Sequence, residues 1–112
     1  MDSYLELSVL YDYYGALLTE TQQSICDMYY NQNLSLTEIA EDLGITKQGV
    51  RDALKKSEKL LFKFENSLQI KSKNEQIGVL VKQLEQSLSV SDIDLKKKSE
   101  IFKLAEEINS LI

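Results

Sequence analysis

A chain of 112 residues with 43% hydrophobic content is long enough for one domain plus a small appendage, and too apolar to stay disordered. The absence of proline, with 4 glycines in all, points to an all-α fold with few irregular loops. No histidine and a single cysteine, Cys26, exclude the usual zinc sites and Cys–His or Ser–His catalysis; the net charge is −5.

No glycine-rich phosphate loop is present. The neighbouring carboxylates Glu41-Asp42 and Glu106-Glu107 diverge by about 100° around a helix, so neither pair makes a joint acid–base site. The expectation is a non-enzyme without metal or cofactor. Cys26 has no partner for a disulfide and lies beside Ile25 on an apolar face, where it reads as a small buried hydrophobe. The first residues lack a signal peptide's basic segment and apolar run, and no apolar stretch reaches ~20 residues, so a cytoplasmic protein is expected.

In chain order, a first helix is predicted over Tyr4 to Tyr14, with Tyr4, Leu7, Tyr11 and Tyr14 at helical spacing and Gly15 ending it. The aromatic stripe reads as a packing face rather than a base-stacking platform. Thr19 and Gln22 form a capping-box pattern that opens a helix through Tyr30, lined by Leu18, Ile25, Cys26, Met28 and Tyr29. Asn31-Gln32-Asn33 is a polar turn.

Ser35 to Lys56 organises the rest. Ser35 with Glu38 is a second capping box, and Ile39, Ala40 and Leu43 share one face of a short helix. Gly44 stands where the chain leaving that helix needs a positive φ, Ile45 turns back into the core, and Thr46 caps a second helix. That helix buries Val50, Ala53 or Leu54, Ser57, Leu61 and Phe64, runs to Glu65 or Asn66, and leaves Leu60 and Phe62 off the seam. A small residue at 40, glycine at 44 and a branched apolar residue at 50 make a helix-turn-helix.

Charge follows the same division. Up to Thr46 there is no lysine or arginine, whereas Lys47, Arg51, Lys55, Lys59 and Lys63 recur every fourth residue as one slowly turning stripe. In this motif the start of the second helix lies in the major groove. Thr46, Lys47, Gln48 and Arg51, flanked by Asp52 and Lys55, would face the nucleic acid; Gln48 suits adenine and Arg51 guanine. Lys59 reaches flanking backbone or stays solvated. Asp52 needs a cytosine amine or a lysine such as Lys56 beside it. The plainer reading of the stripe is the wet side of a long helix, and Glu38, Glu41 and Asp42 repel phosphates.

From residue 67 to 112 acids and lysines balance, and a C-terminal helical hairpin is predicted after a helix-turn-helix domain over 1–66. Its first helix, Ser72 to Leu88, carries Ile77, Leu80, Val81, Leu84 and Leu88; Gly78 either weakens it or marks a close approach. Ser91 with Asp94 caps a last helix bearing Ile101, Leu104, Ala105, Ile108 and Leu111. A leftover apolar stripe makes this hairpin a packing or dimerisation element, and a homodimer is expected.

LLTETQ (Leu17–Gln22), Tyr29-Tyr30, LSLTEIAEDLGITKQGV (Leu34–Val50) and the run to Leu61 together resemble the YlxM family of small bacterial proteins encoded beside signal-recognition-particle genes. More distantly the same segment is similar to DNA-binding region 4 of sigma factors. The resemblance covers about Leu10 to Leu68. It implies a cytoplasmic helix-turn-helix protein that binds duplex DNA as a regulator tied to signal-recognition-particle targeting. The alternative it leaves is an accessory that binds structured RNA or the particle's proteins. By position, Thr46, Lys47, Gln48, Arg51 and Lys55 match the family's presumed reading helix, with Gly49 where an alanine is common and Lys47 where an arginine is common.

Overall fold

The computed structural model describes residues 3–90 and 92–112. Six α-helices follow one another: α1 (Ser3–Tyr14), α2 (Glu20–Cys26), α3 (Leu36–Leu43), α4 (Lys47–Leu68), α5 (Ile70–Ser89) and α6 (Leu95–Leu111). The fold is all-α, with no strand among the described residues. The chain divides into two compact units, one up to Gln69 and one from Ile70 onward.

In the first unit α4 is the central strut, packed against α1, α2 and α3. Its Val50, Leu54, Ser57 and Leu61 are buried one turn apart, and Leu7, Leu10, Tyr14, Ile25, Cys26 and Ile39 close the core around them. Leu54 takes the inner position and Ala53 stays half-buried, because the 100° between neighbours can favour only one of them. The Ser57 hydroxyl, fully buried, donates to the Ala53 carbonyl at 2.9 Å, so a small polar residue is tolerated without an orphan group. Cys26 is fully buried near that serine, and burial pushes its thiol above its ordinary pKa, which suits packing and not nucleophilic chemistry.

The tyrosines tie α1 to its neighbours. Tyr4 donates its hydroxyl to the Tyr29 carbonyl (3.0 Å), Tyr11 to that of Gln23 (3.0 Å), and Tyr14 to the Glu65 carboxylate of α4 at 2.6 Å. Each ring thus brings apolar area and a satisfied polar tip. Leu10 lies on the same buried face; Tyr4 remains partly exposed. Burial, and then the Glu58 carboxylate, lifts the Tyr30 phenol well above its ordinary range.

Two helix ends differ from expectation. α2 is capped by the Thr19–Gln22 box, but after Cys26 the chain widens into a π turn over Asp27–Asn31. Asn31 and Gln32 side chains both donate to the Asp27 carboxylate there, at 2.8 and 2.9 Å. α4 runs on past residue 66 to Leu68 and stops at Gln69, which adopts φ 55° and donates its N–H to the Glu65 carbonyl.

The second unit is a hairpin of α5 and α6. Of the expected stripes, only Val81, Leu88 and Ala105 are buried; Ile77, Leu80, Leu84, Leu104, Ile108 and Leu111 are exposed. Two helices touch along one line only, so the rest of each apolar stripe is left over. Asp94 itself caps α6, accepting from the Lys96 N–H at 3.3 Å, while Ser91 lies outside the described residues.

A Cβ at Gly78 would rest 3.8 Å from the Ile112 side chain, an ordinary contact, so this glycine marks no close crossing. Gly78→Ala therefore gains helix propensity at no steric cost. It is expected to stabilise the chain by about 0.5–1 kcal/mol in thermal denaturation followed by circular dichroism, and a lowered midpoint would contradict that packing.

Candidate nucleic-acid interface

The turn between α3 and α4 is built by local chemistry. The Ser35 hydroxyl accepts from the Glu38 N–H (3.1 Å) and the Glu38 carboxylate from the Ser35 N–H (2.9 Å). Gly44 adopts φ 68°, where a side chain would be strained, and the Gly44 and Ile45 N–H groups both donate to the Ala40 carbonyl. Thr46 then starts α4, its hydroxyl accepting from the Gly49 N–H at 2.9 Å. Ile39, Ala40 and Val50 are buried where the helices cross, Ala40 supplying the small side chain.

Two residues of the turn lie elsewhere than expected. Ile45 is 43% exposed and sits over the first turn of α4, since the left-handed step at Gly44 swings it away from the core. Leu43 is also partly exposed, the short α3 having room for only Ile39 and Ala40 against α4.

The Ser35 backbone N–H, and then the hydroxyl, hold the Glu38 carboxyl below its usual range. A carboxylate with a depressed folded pKa stabilises the native state above the unfolded value, and loses that contribution as pH falls through the folded one. Glu38→Gln keeps the cap without the charge. Its midpoint deficit at neutral pH should shrink steadily in melts taken from pH 6 down to pH 3; a constant deficit would show that the charge is idle.

Thr46, Lys47, Gln48, Arg51, Asp52, Lys55 and Lys59 are all exposed, as is Lys63. The first turns of α4 are internally wired: Arg51 Nη1 donates to Gln48 Oε1 (3.4 Å) and Gln48 Nε2 to Asp52 Oδ1 (2.9 Å). Asp52 thus finds the Gln48 amide one turn back along α4, where a cytosine amine or a lysine such as Lys56 is expected. The remaining Arg51 N–H donors have no hydrogen-bond partner among the described residues.

Further along α4, Lys55, Lys56, Glu58, Lys59 and Phe62 line a shallow groove. Phe62, expected off the seam, lies in the basic row instead, where the four-residue spacing of the lysines leaves a slot beside a ring seven residues after Lys55. On α3, Glu38, Glu41 and Asp42 border a separate acidic depression with Gln32 and Leu34. Among the described residues no cluster of three or more candidate ligands could hold a metal ion, and no helix is long and apolar enough to cross a membrane.

Capped α3, a left-handed glycine and a capped, cationic α4 over one shared core define a helix-turn-helix protein. Residues 1–101 match the family described as "Putative helix-turn-helix protein, YlxM / p13 like". A UPF0122 protein of Thermoanaerobacter sp. (strain X514) is 38% identical over 107 residues, covering 96% of this chain and 91% of its own. One from Clostridium perfringens (strain SM101 / Type A) is 36% identical across 98% of this chain and all of its own length. The chain belongs to this family, UPF0122.

Proposed function

We propose that this protein is a cytoplasmic, non-enzymatic DNA-binding regulator that enters the major groove with the start of α4 and binds as a homodimer. Thr46, Lys47, Gln48, Arg51 and Asp52 face the bases and nearest phosphates, and Lys55 and Lys59 follow the flanking backbone. The observation that carries this reading is the exposure of the whole cationic row on the second helix of a helix-turn-helix. The link to signal-recognition-particle targeting comes from the YlxM resemblance.

A second reading has an observation of its own. Gln48 and Asp52 are engaged with each other, while Lys55, Lys59 and exposed Phe62 form a contact surface beyond the reading end. Phosphates and unstacked bases of a structured RNA suit that surface. Fluorescence anisotropy with a labelled duplex pool, competed in turn by unlabelled duplex and by folded RNA, decides between them. The DNA reading expects duplex to compete better and affinity to fall steeply with added salt. Millimolar affinity for both at low salt would remove both readings.

A further inference from the structure

From the uncovered side of the C-terminal hairpin we infer that α5 and α6 pair with the same two helices of a second copy, forming an intermolecular four-helix bundle. The inference rests on the homodimer proposed above and not on nucleic-acid binding.

The hairpin is short of interior. Over residues 70–112 only Val81, Leu88 and Ala105 are buried among the described residues. A unit of that size without disulfide or metal ordinarily needs a partner to be stable, and its sequence contains no cysteine. What it lacks inside it carries outside: Ile77, Leu80 and Leu84 on α5, and Leu104, Ile108 and Leu111 on α6, are 37–85% exposed.

These six side chains form one face. With 100° per residue, Ile77, Leu80 and Leu84 lie about 40–100° to one hand of Val81, the position of α5 that is buried. Leu104, Ile108 and Leu111 lie about 60–120° to the same hand of Ala105, the buried position of α6. The helices run antiparallel, the end of α6 bringing Ile112 to 3.8 Å from a Cβ at Gly78 in the middle of α5. In an antiparallel pair, rotations of one hand point both stripes to the same side of the hairpin.

The spacings 77-80-84 and 104-108-111 are those of a bundle seam, three and four residues alternating. On the order of 600 Å² of apolar side chain is left in solvent per copy, so two copies would remove about 1,200 Å², the lower edge of a specific interface. Charge offers no barrier to self-association: Lys73 ends the α5 stripe and Lys97 begins the α6 stripe, each long enough to carry its ammonium to the rim, Gln76 and Gln83 border α5, and Glu100 and Glu107 oppose the lysines on α6. A second copy therefore fits this face in length, area and charge.

Sedimentation equilibrium of the full chain without nucleic acid, at micromolar concentrations, tests the pairing apart from DNA binding. The expected species has twice the 12.8 kDa chain mass. Leu80→Glu should give the monomer, and Leu80→Ala should raise the dissociation constant at least about tenfold if the Leu80 side chain is buried between copies. Lys82→Glu, at an exposed position 100° to the other hand of Val81, should leave the dimer intact. A monomeric parent chain, the face being covered by the chain's own first unit or by another protein, overturns the inference. So does a parent dimer that Leu80→Glu and Leu80→Ala leave unchanged, or that Lys82→Glu dissociates equally; if Leu80→Glu unfolds, the alanine variant decides.

Discussion

Leu61→Ala is expected to cost about 2–5 kcal/mol, the range for emptying a fully buried leucine site. Leu61 has no exposed surface, and on α4 it lies two turns after buried Leu54 and one turn before Phe64, whose ring centroid is 6.1 Å from that of Tyr14. Neighbours on α1 and α2 are fixed by their own hydrogen bonds, Tyr14 to Glu65 and Tyr11 to Gln23. The cavity cannot collapse freely, which favours the upper part of the range. For a unit of this size each kcal/mol lowers the melting midpoint by about 4–8 °C, so a drop of more than 10 °C is expected. Leu5→Ala, at a site 68% exposed, should stay within about 0.5 kcal/mol of the parent. Equal losses from the two variants would mean that α4 is not the strut of the first unit.

The features that could be read from the residues are those written in short-range chemistry. A capping box needs only a hydroxyl and an amide or carboxylate three residues apart, so Thr19–Gln22 and Ser35–Glu38 stand as expected. Gly44 is legible for the same reason: a left-handed turn between two apolar helices leaves little choice of residue. What the residues leave open turns on helix phase, local geometry and side-chain direction. Whether Leu54 or Ala53 faces inward is a question of rotational phase, settled by α1 and α2. The π turn at 27–31 needs Asn31 and Gln32 to share one carboxylate, and Ile45 is expelled by the turn's own geometry. In the hairpin, helical spacing gives two apolar stripes with a face left over, but not which residues pack: the contact line is Val81, Leu88 and Ala105, with Ile77, Leu80, Leu84, Leu104, Ile108 and Leu111 exposed beside it. Periodicity alone gives the stripe and not what lies against it. At the site, the types and exposure of the α4 residues were accessible, but the Gln48–Asp52 bond and the placement of Phe62 were not, since both depend on side-chain direction.

Under the DNA reading, Arg51→Ala should weaken binding to a preferred duplex by about 10–100-fold, the discrimination of one guanine-directed arginine. Arg51 is exposed, and the Gln48 oxygen holds one of its nitrogens at 3.4 Å, long enough to be exchanged for a base acceptor at small cost. Its loss should also flatten the preference among sequences, and the base affected identifies the partner. Lys59→Ala, about two helical turns further along α4, should act differently: equal weakening on every duplex and a salt slope shallower by about one ion. Arg51→Lys separates the DNA and RNA readings most cleanly. A lysine cannot make the forked contact to guanine, so groove reading loses nearly as much as with alanine, whereas phosphate contact on folded RNA loses little because the charge remains. Anisotropy with both ligands on all three variants therefore assigns the cationic row one task, and equal responses to Arg51→Ala and Lys59→Ala on every duplex would show that α4 recognises charge and not sequence.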